Sequence, residues 1–259
     1  MSRSTLTQIG HVARRSVVRT MRQPAQVVPA LIFPLFLLAV NSAGLQKATD
    51  LPGFPTNSYL TFALAIPFMQ GALFSIMNAG TDLARDVETG FLNRLALTPL
   101  GGAALLTGLL AGALALGLVQ ATVYLLVGLI AGASFAAGFG GVLVIVALSM
   151  VMALGFGALG LFVALRTGSG EAVQSMFPVF FVFLFLSSMS LPRNLIQTDW
   201  FREIATYNPV SYLIEAIRSL LVKGWDGEAL GLGFGIAATI AVVAMVAASA
   251  SLKTRMVRT

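Results

Sequence analysis

Six long stretches of this chain contain no Asp, Glu, Lys, Arg or His: residues 27–44, 58–80, 103–131, 140–165, 172–191 and 229–252. A bilayer's hydrocarbon core is about 30 Å thick and takes roughly 20 apolar residues of helix. Each run is therefore read as a membrane span. Six spans and their links consume all 259 residues, which makes residues 1–259 a single all-α integral membrane domain. Six separate runs of this length do not fit inside one soluble core. Transporters driven by protons or sodium keep ionisable groups at membrane depth. These runs hold none, so the driving energy is expected to enter from outside the bilayer.

Composition agrees where it matters. Charged residues are 10% of the chain, against about 25% in soluble domains. The absence of cysteine removes disulfides, thiolate metal sites and cysteine nucleophiles. The Lys and Arg residues between the runs divide eleven to five in favour of the side that carries both termini. By the positive-inside rule both termini are expected in the cytoplasm.

Residues 4–22 read as an amphipathic helix on the inner membrane surface. Leu6, Ile9, Ala13, Val17 and Met21 form one stripe, with His11, Arg15, Arg19 and Arg22 opposite and Pro24 as the stop. A secretory signal peptide is the rival reading, because residues 39–43 end on small side chains. The basic leader is too long and too patterned for that, and five more spans follow. Residues 81–99 are the most charged stretch after the N-terminal helix and face the cytoplasm. Residues 192–228 are the longest non-spanning piece and are expected outside. There Asn208 caps a helix, Pro209 opens it and Gly224 stops it. Val210, Leu213, Ile214, Ile217 and Leu221 make its apolar stripe, expected to dip into or lie on the outer leaflet. Small-residue pairs at four-residue spacing (Gly108/Gly112, Gly128/Gly132, Gly231/Gly235) permit close helix packing, although glycine is common in membrane helices anyway.

Several chemistries are absent. No G-x-x-x-x-G-K-[ST] loop occurs, so the chain does not bind ATP by that route. His11 is the sole histidine, which removes a histidine metal site and a hydrolase triad. Asp82, Asp86 and Glu88 look like part of a phosphatidyltransferase metal cluster, but the further Asp and Gly residues of such a site do not follow. No catalytic or metal residue is expected, nor a nucleic-acid partner. In the fifth span Phe177, Phe181 and Phe185 share a face at i, i+4 and i+8, with Phe180 beside them. The row suits either a wall for amphiphilic cargo or ordinary contact with lipid.

Two motifs carry a family likeness. Ala84-Arg85-Asp86-Val87-Glu88-Thr89-Gly90, continuing through Asn93-Arg94 to Pro99, resembles the signature after the second span of type-2 ATP-binding-cassette exporter permeases, the daunorubicin-resistance group and its relatives. Glu88, Gly90 and Pro99 match its Glu, Gly and Pro. Asn208-Pro209-Val210-Ser211-Tyr212, then Glu215-Ala216 and Arg218, resembles the Asn-Pro…Ala-x-Arg pattern before the last span of the same family.

The resemblance implies a permease subunit with an external re-entrant helix that contains Asn208, Pro209, Glu215 and Arg218. Two permease chains, identical or different, would pair with separate ATPase subunits that hold ATP and Mg2+. This chain would bind no cofactor. Residues 85–97 would form a coupling helix, with Arg85, Asp86, Glu88 and Arg94 available to the ATPase. A solvated loop pairing with lipid headgroups is the plainer account of Glu88 and Arg94. The implied setting is a bacterial plasma membrane and the implied cargo a hydrophobic or amphiphilic drug or lipid. A lipid-linked glycan or an ion-gradient-driven secondary transporter is the alternative.

Overall fold

The computed structural model describes residues 3–96 and 102–257, and every regular element among them is helical. They are α1 (Arg3–Met21), α2 (Pro24–Gly44), α3 (Tyr59–Ala63), α4 (Ala65–Glu88), α5 (Phe91–Ala96) and α6 (Gly102–Ile130). Then follow α7 (Gly138–Thr167), α8 (Gly170–Phe185), α9 (Asp199–Tyr207), α10 (Pro209–Val222) and α11 (Gly227–Val257), with short 3-10 turns at Gln46–Asp50 and Arg193–Leu195. Caps fall where the sequence offers them. Ser58, Ser169 and Asn208 each accept a hydrogen bond from a backbone N–H of the first turn, at 3.3, 3.3 and 2.9 Å, and Gly168 ends α7 at φ +70°.

Five helical segments are long and apolar enough to cross a membrane: Pro24–Gly44, Tyr59–Glu88, Ala104–Ile130, Gly138–Thr167 and Gly227–Arg255. The sixth expected run, 172–191, yields only α8, whose 16 residues span about 24 Å. Hydrogen bonding explains the shortfall. The Ser187 hydroxyl donates to the carbonyl of Leu184, and the Ser188 N–H goes to the Ser211 hydroxyl at 3.1 Å. The Ser188 and Met189 carbonyls accept from Arg218. These bonds offer the backbone an alternative to another helical turn.

α4 is the axis of the bundle. It packs on α7, α8, α6, α2 and α10, while α7 also carries α11. α4 and α7 meet backbone to backbone at Gly80 and Gly160. A Cβ on Gly160 would run into the Ile76 carbonyl, and one on Gly80 would lie 2.9 Å from the Gly160 carbonyl oxygen. In lipid, helices associate through such close packing of small residues.

The N-terminal helix differs from the expected surface element. Its buried line is Val12, Ser16 and Thr20, not the stripe through Ile9, Ala13 and Val17, which is half-buried, with Met21 exposed. The cause lies on α6. Gly108 and Gly112 leave a groove in which a Cβ would come within 2.6 Å of Val12 Cγ1 and Ser16 Oγ, respectively. The Ser16 hydroxyl donates to the Leu109 carbonyl (2.8 Å) and accepts from the Gly112 N–H (3.2 Å). Of the other spaced glycine pairs, Gly128 meets Leu64, whereas Gly231 and Gly235 have nothing within 4 Å.

α2 contains Pro34, which has no N–H to offer the Ala30 carbonyl one turn earlier. That carbonyl accepts instead from Tyr124 Oη (2.6 Å) and Gln120 Nε2 (3.1 Å), both on α6. An orphaned acceptor is thus satisfied across the helix interface.

One further expectation is corrected. The stripe of α10 faces protein: Val210, Leu213, Ile214, Ile217 and Leu221 are all buried against α11, α4, α3 and α7. The protein also buries ionisable groups, namely Asp82 and Asp86 on the extension of α4 past its uncharged run, and Arg218 on α10.

Candidate functional site

At the arginine-rich end of the bundle, α1 is clamped to α4. Arg15 and Arg19 are four residues apart, as are Asp82 and Asp86, so each pair lies on one face of its helix. Arg15 grips Asp86 through both terminal nitrogens at 2.9 Å. Arg19 reaches Asp86 at 2.7 Å and Asp82 at 3.1 Å. Gln23 donates to Asp82 (3.0 Å), and Asn78 joins Gln26 (2.8 Å) to the same strip. The carboxylates are 5% and 10% exposed and the arginines 38% and 22%, so the cluster is dry on the acid side only. Its hydrogen bond to Asp86, outweighing burial, holds the Arg15 guanidinium above its ordinary value. The same guanidinium lies 3.9 Å from the Phe91 ring centroid, which joins α5 to the clamp.

The expected coupling residues surround this clamp, but not on one helix. Arg85, Asp86 and Glu88 belong to the last turn of α4. Gly90 then turns the chain at φ +68°, and α5 starts afresh at Phe91. Residues 85–97 are therefore two pieces with a hinge, because a left-handed residue cannot continue a helix. Asp86 is buried in the clamp. Arg85 and Glu88 are exposed and line a cavity of about 610 Å³ between α2, α4 and the start of α8. Arg94 is exposed and donates to the Thr89 carbonyl at 3.4 Å. Pro99 lies outside the described residues.

Above that cavity the phenylalanines form a ladder. Phe177 stacks with Phe74 of α4 (5.2 Å) and with Phe181 (4.7 Å), and Phe181 continues to Phe33 of α2 (6.0 Å) and to Phe185 (5.9 Å). Phe180 turns away to Phe156 of α7 at 6.0 Å. Phe185 is 55% exposed.

At the opposite end, Asn208 and Pro209 start α10 as expected. The Asn208 amide also donates to the Phe183 (2.6 Å) and Leu186 (3.0 Å) carbonyls at the end of α8. Glu215 is held by Arg193 at 2.6 Å and by the Ser188 hydroxyl at 2.6 Å. Among the described residues Arg218 has no carboxylate within bonding distance. It donates to three backbone carbonyls, of Phe62 (3.1 Å), Ser188 (2.9 Å) and Met189 (2.8 Å), and stacks 3.6 Å from the Phe62 ring centroid. Burial pushes its guanidinium down to about 10, with Glu215 and Tyr59 opposing.

Arg15, Arg19, Asp82 and Arg193 are not among the site residues expected from sequence. The matched i, i+4 spacing of the first two with Asp82 and Asp86 is the signal that finds the clamp. Among the described residues no three His, Asp or Glu side chains gather where a metal ion could sit.

The sequence profile of the ABC-2 type transporter family matches residues 7–222, which takes in the clamp, the Gly90 turn, the ladder and α10. The chain belongs to the ABC-2 type transporter family. It is a multi-pass membrane permease of that type. It is similar to the daunorubicin resistance ABC transporter permease protein DrrB1 of Streptomyces coeruleorubidus, with 26% identity over 89% of this chain and 82% of the relative. It is similar also to the probable doxorubicin resistance ABC transporter permease protein DrrC of Mycobacterium tuberculosis, with 25% identity over 81% and 75%. The putative transport permease ycf38 of Porphyra purpurea shares 28% identity over 82% and 73%.

Replacing Asp86 in the permease with asparagine leaves Arg15 and Arg19 facing a neutral amide. The expected cost is about 2 kcal/mol, below a fully buried pair because the arginines are part-exposed. A lower unfolding temperature in detergent, with the gap to the parent protein narrowing in high salt, is the outcome to look for. An unchanged transition would mean that α1 is held by its α6 groove alone.

Proposed function

We propose that the permease is the membrane subunit of an ATP-driven exporter for hydrophobic or amphiphilic compounds, drug-like or lipid-like, powered by a separate ATP-binding subunit docked at the arginine-rich end. The observation that carries this reading is the course of α4. The most buried span of the bundle extends beyond its uncharged run to Glu88 and ends in the Gly90 turn, α5 and the α1 clamp. A push on that turn is delivered along a rigid helix to the centre of the fold, the kind of rigid-body shift that gates a pathway.

Glu88 and Arg94 are exposed beside the turn and would make polar contacts with the ATPase, with Arg85 near them. Asp86 acts indirectly, by locking α1 to α4. ATP and Mg2+ belong to the partner, which supplies phosphoryl-transfer energy. A second permease chain, identical or different, completes the pathway. The segment after α8 completes a sixth crossing, so both termini lie in the cytoplasm of a bacterial plasma membrane, consistent with the eleven-to-five division of cations. Cargo recognition falls to the ladder of Phe177, Phe181 and Phe185 with Phe74 and Phe33, an aromatic wall that binds by apolar burial.

The test is export from vesicles holding the permease with its ATPase. Uptake of an aromatic dye that needs ATP and stops with vanadate is expected, whereas transport by the purified permease alone on a proton gradient would overturn the reading. Glu88→Ala removes an exposed side chain and Gly90→Pro cannot adopt φ +68°. Both should leave the protein in the membrane and reduce ATP-coupled export, and full export in both would end the coupling assignment.

A further inference from the structure

α9 presents an apolar edge that the described residues leave largely exposed. Trp200, Ile204 and Tyr207 follow one another at i, i+4 and i+7 on one face, and they are 61%, 40% and 79% exposed. Asp199, Arg202 and Glu203 occupy the other exposed positions, and Ala205 alone is turned inward and buried. A nine-residue helix of this kind gains little in water by exposing a tryptophan, an isoleucine and a tyrosine together.

We propose that α9 is an interfacial anchor. Its Trp200–Ile204–Tyr207 edge is embedded in the headgroup and glycerol layer of the bilayer, with Trp225 at the same boundary. Three observations select lipid as the occupant. The first is depth. The end of α9 is hung on the last turn of α8, because Asn208, the residue that follows α9, donates to the Phe183 and Leu186 carbonyls where the apolar helix stops. The Thr206 carbonyl is likewise held by Tyr212 Oη at 2.8 Å.

The second is company. The chain has only two tryptophans. The other, Trp225, is 63% exposed, lies over the first turn of α7 close enough that a Cβ on Gly140 would be 3.2 Å from its ring, and precedes the start of α11 by two residues. Trp225 therefore sits where an apolar helix begins, and the helix that carries Trp200 ends where another stops, the level at which indole and phenol rings are most at ease, with an apolar body and a polar tip. The third is the type of edge. Tryptophan and tyrosine with one aliphatic residue, flanked by Arg202 on the polar face, suit a zwitterionic or anionic surface better than the dry aliphatic seam of a helix–helix contact. This anchor moves the leaflet-facing role from α10, whose stripe is buried in protein, to the helix before it. It does not depend on what drives transport or on the cargo.

The experiment uses the tryptophan pair. Full-length Trp225→Phe leaves Trp200 as the sole indole, and Trp200→Phe leaves Trp225. Each is reconstituted in phosphatidylcholine vesicles with lipids brominated either near the headgroup or near the chain end, and is also exposed to aqueous iodide. Headgroup-proximal bromine is expected to quench Trp200 about twice as strongly as chain-end bromine, with little quenching by iodide. Ile204→Asp changes a side chain that is 40% exposed and lies outside the buried core. It should cut the bromolipid quenching of Trp200 by about half and raise its iodide quenching. Strong iodide quenching without a bromolipid effect would place the edge in water. Protection from both quenchers would mean that it is covered by protein, such as a second copy of the chain. Either result, or an Ile204→Asp variant indistinguishable from its parent, overturns the anchor.

Discussion

Alanine at Gly160 is expected to cost the permease about 3 kcal/mol and to remove most of the folded protein from the membrane fraction. The added methyl would be aimed at the backbone carbonyl of Ile76, which no rotamer change can move, at the point where α7 crosses the axis of the bundle. The intrinsic helix preference of alanine over glycine, about 1 kcal/mol, works the other way and is too small to offset this. Gly235→Ala is the control. A Cβ there meets nothing within 4 Å, so only the propensity gain remains and the unfolding temperature should stay level or rise. If Gly160→Ala and Gly235→Ala melt alike, α4 and α7 do not touch backbone to backbone.

Arg218→Met is expected to be of comparable severity, about 3–5 kcal/mol, although it keeps the volume and improves the hydropathy of a buried site. Three carbonyls, at Phe62, Ser188 and Met189, lose their donor together, and two of them belong to the non-helical stretch that follows α8. Arg218→Lys should rescue little. One ammonium on a flexible stem cannot reproduce a planar fork that reaches three acceptors and stacks on Phe62. Thermal unfolding in detergent, with limited proteolysis of residues 186–198, reads both effects. Wild-type stability in Arg218→Lys would mean that charge, not geometry, is what the site requires.

How much of this was legible in the chain depends on which partner each residue answers to. The spans of α4, α6, α7 and α11 follow from uncharged runs long enough to cross a bilayer, because lipid imposes that pattern locally. Asn208, Pro209 and Gly224 bound α10 for equally local reasons, a cap acceptor, a missing N–H and a positive φ of +98°. Gly90 was read as part of one coupling helix over residues 85–97, and its φ of +68° instead breaks that stretch in two. The stripe of α10 was visible, but its destination was not, since five apolar residues at helical spacing look the same whether they meet lipid or protein. α8 fell short of its run because the Ser211 hydroxyl and Arg218, both from a distant segment, claimed the backbone groups of Ser188 and Met189 just beyond it. The clamp required matching two i, i+4 pairs about 65 residues apart, which a reading of α1 as a free surface helix sets aside.

The repair of the Pro34 gap has a mechanical corollary. α2 presents only Ala30, Pro34 and Leu38 as buried residues, and its firmest polar tie is the single Ala30 oxygen shared by Tyr124 and Gln120. Every other long apolar helix is sewn into its neighbours along most of its length or crosses one backbone to backbone. Of the long apolar helices α2 is thus the least embedded, moored at mid-height by two donors and fringed by Phe33.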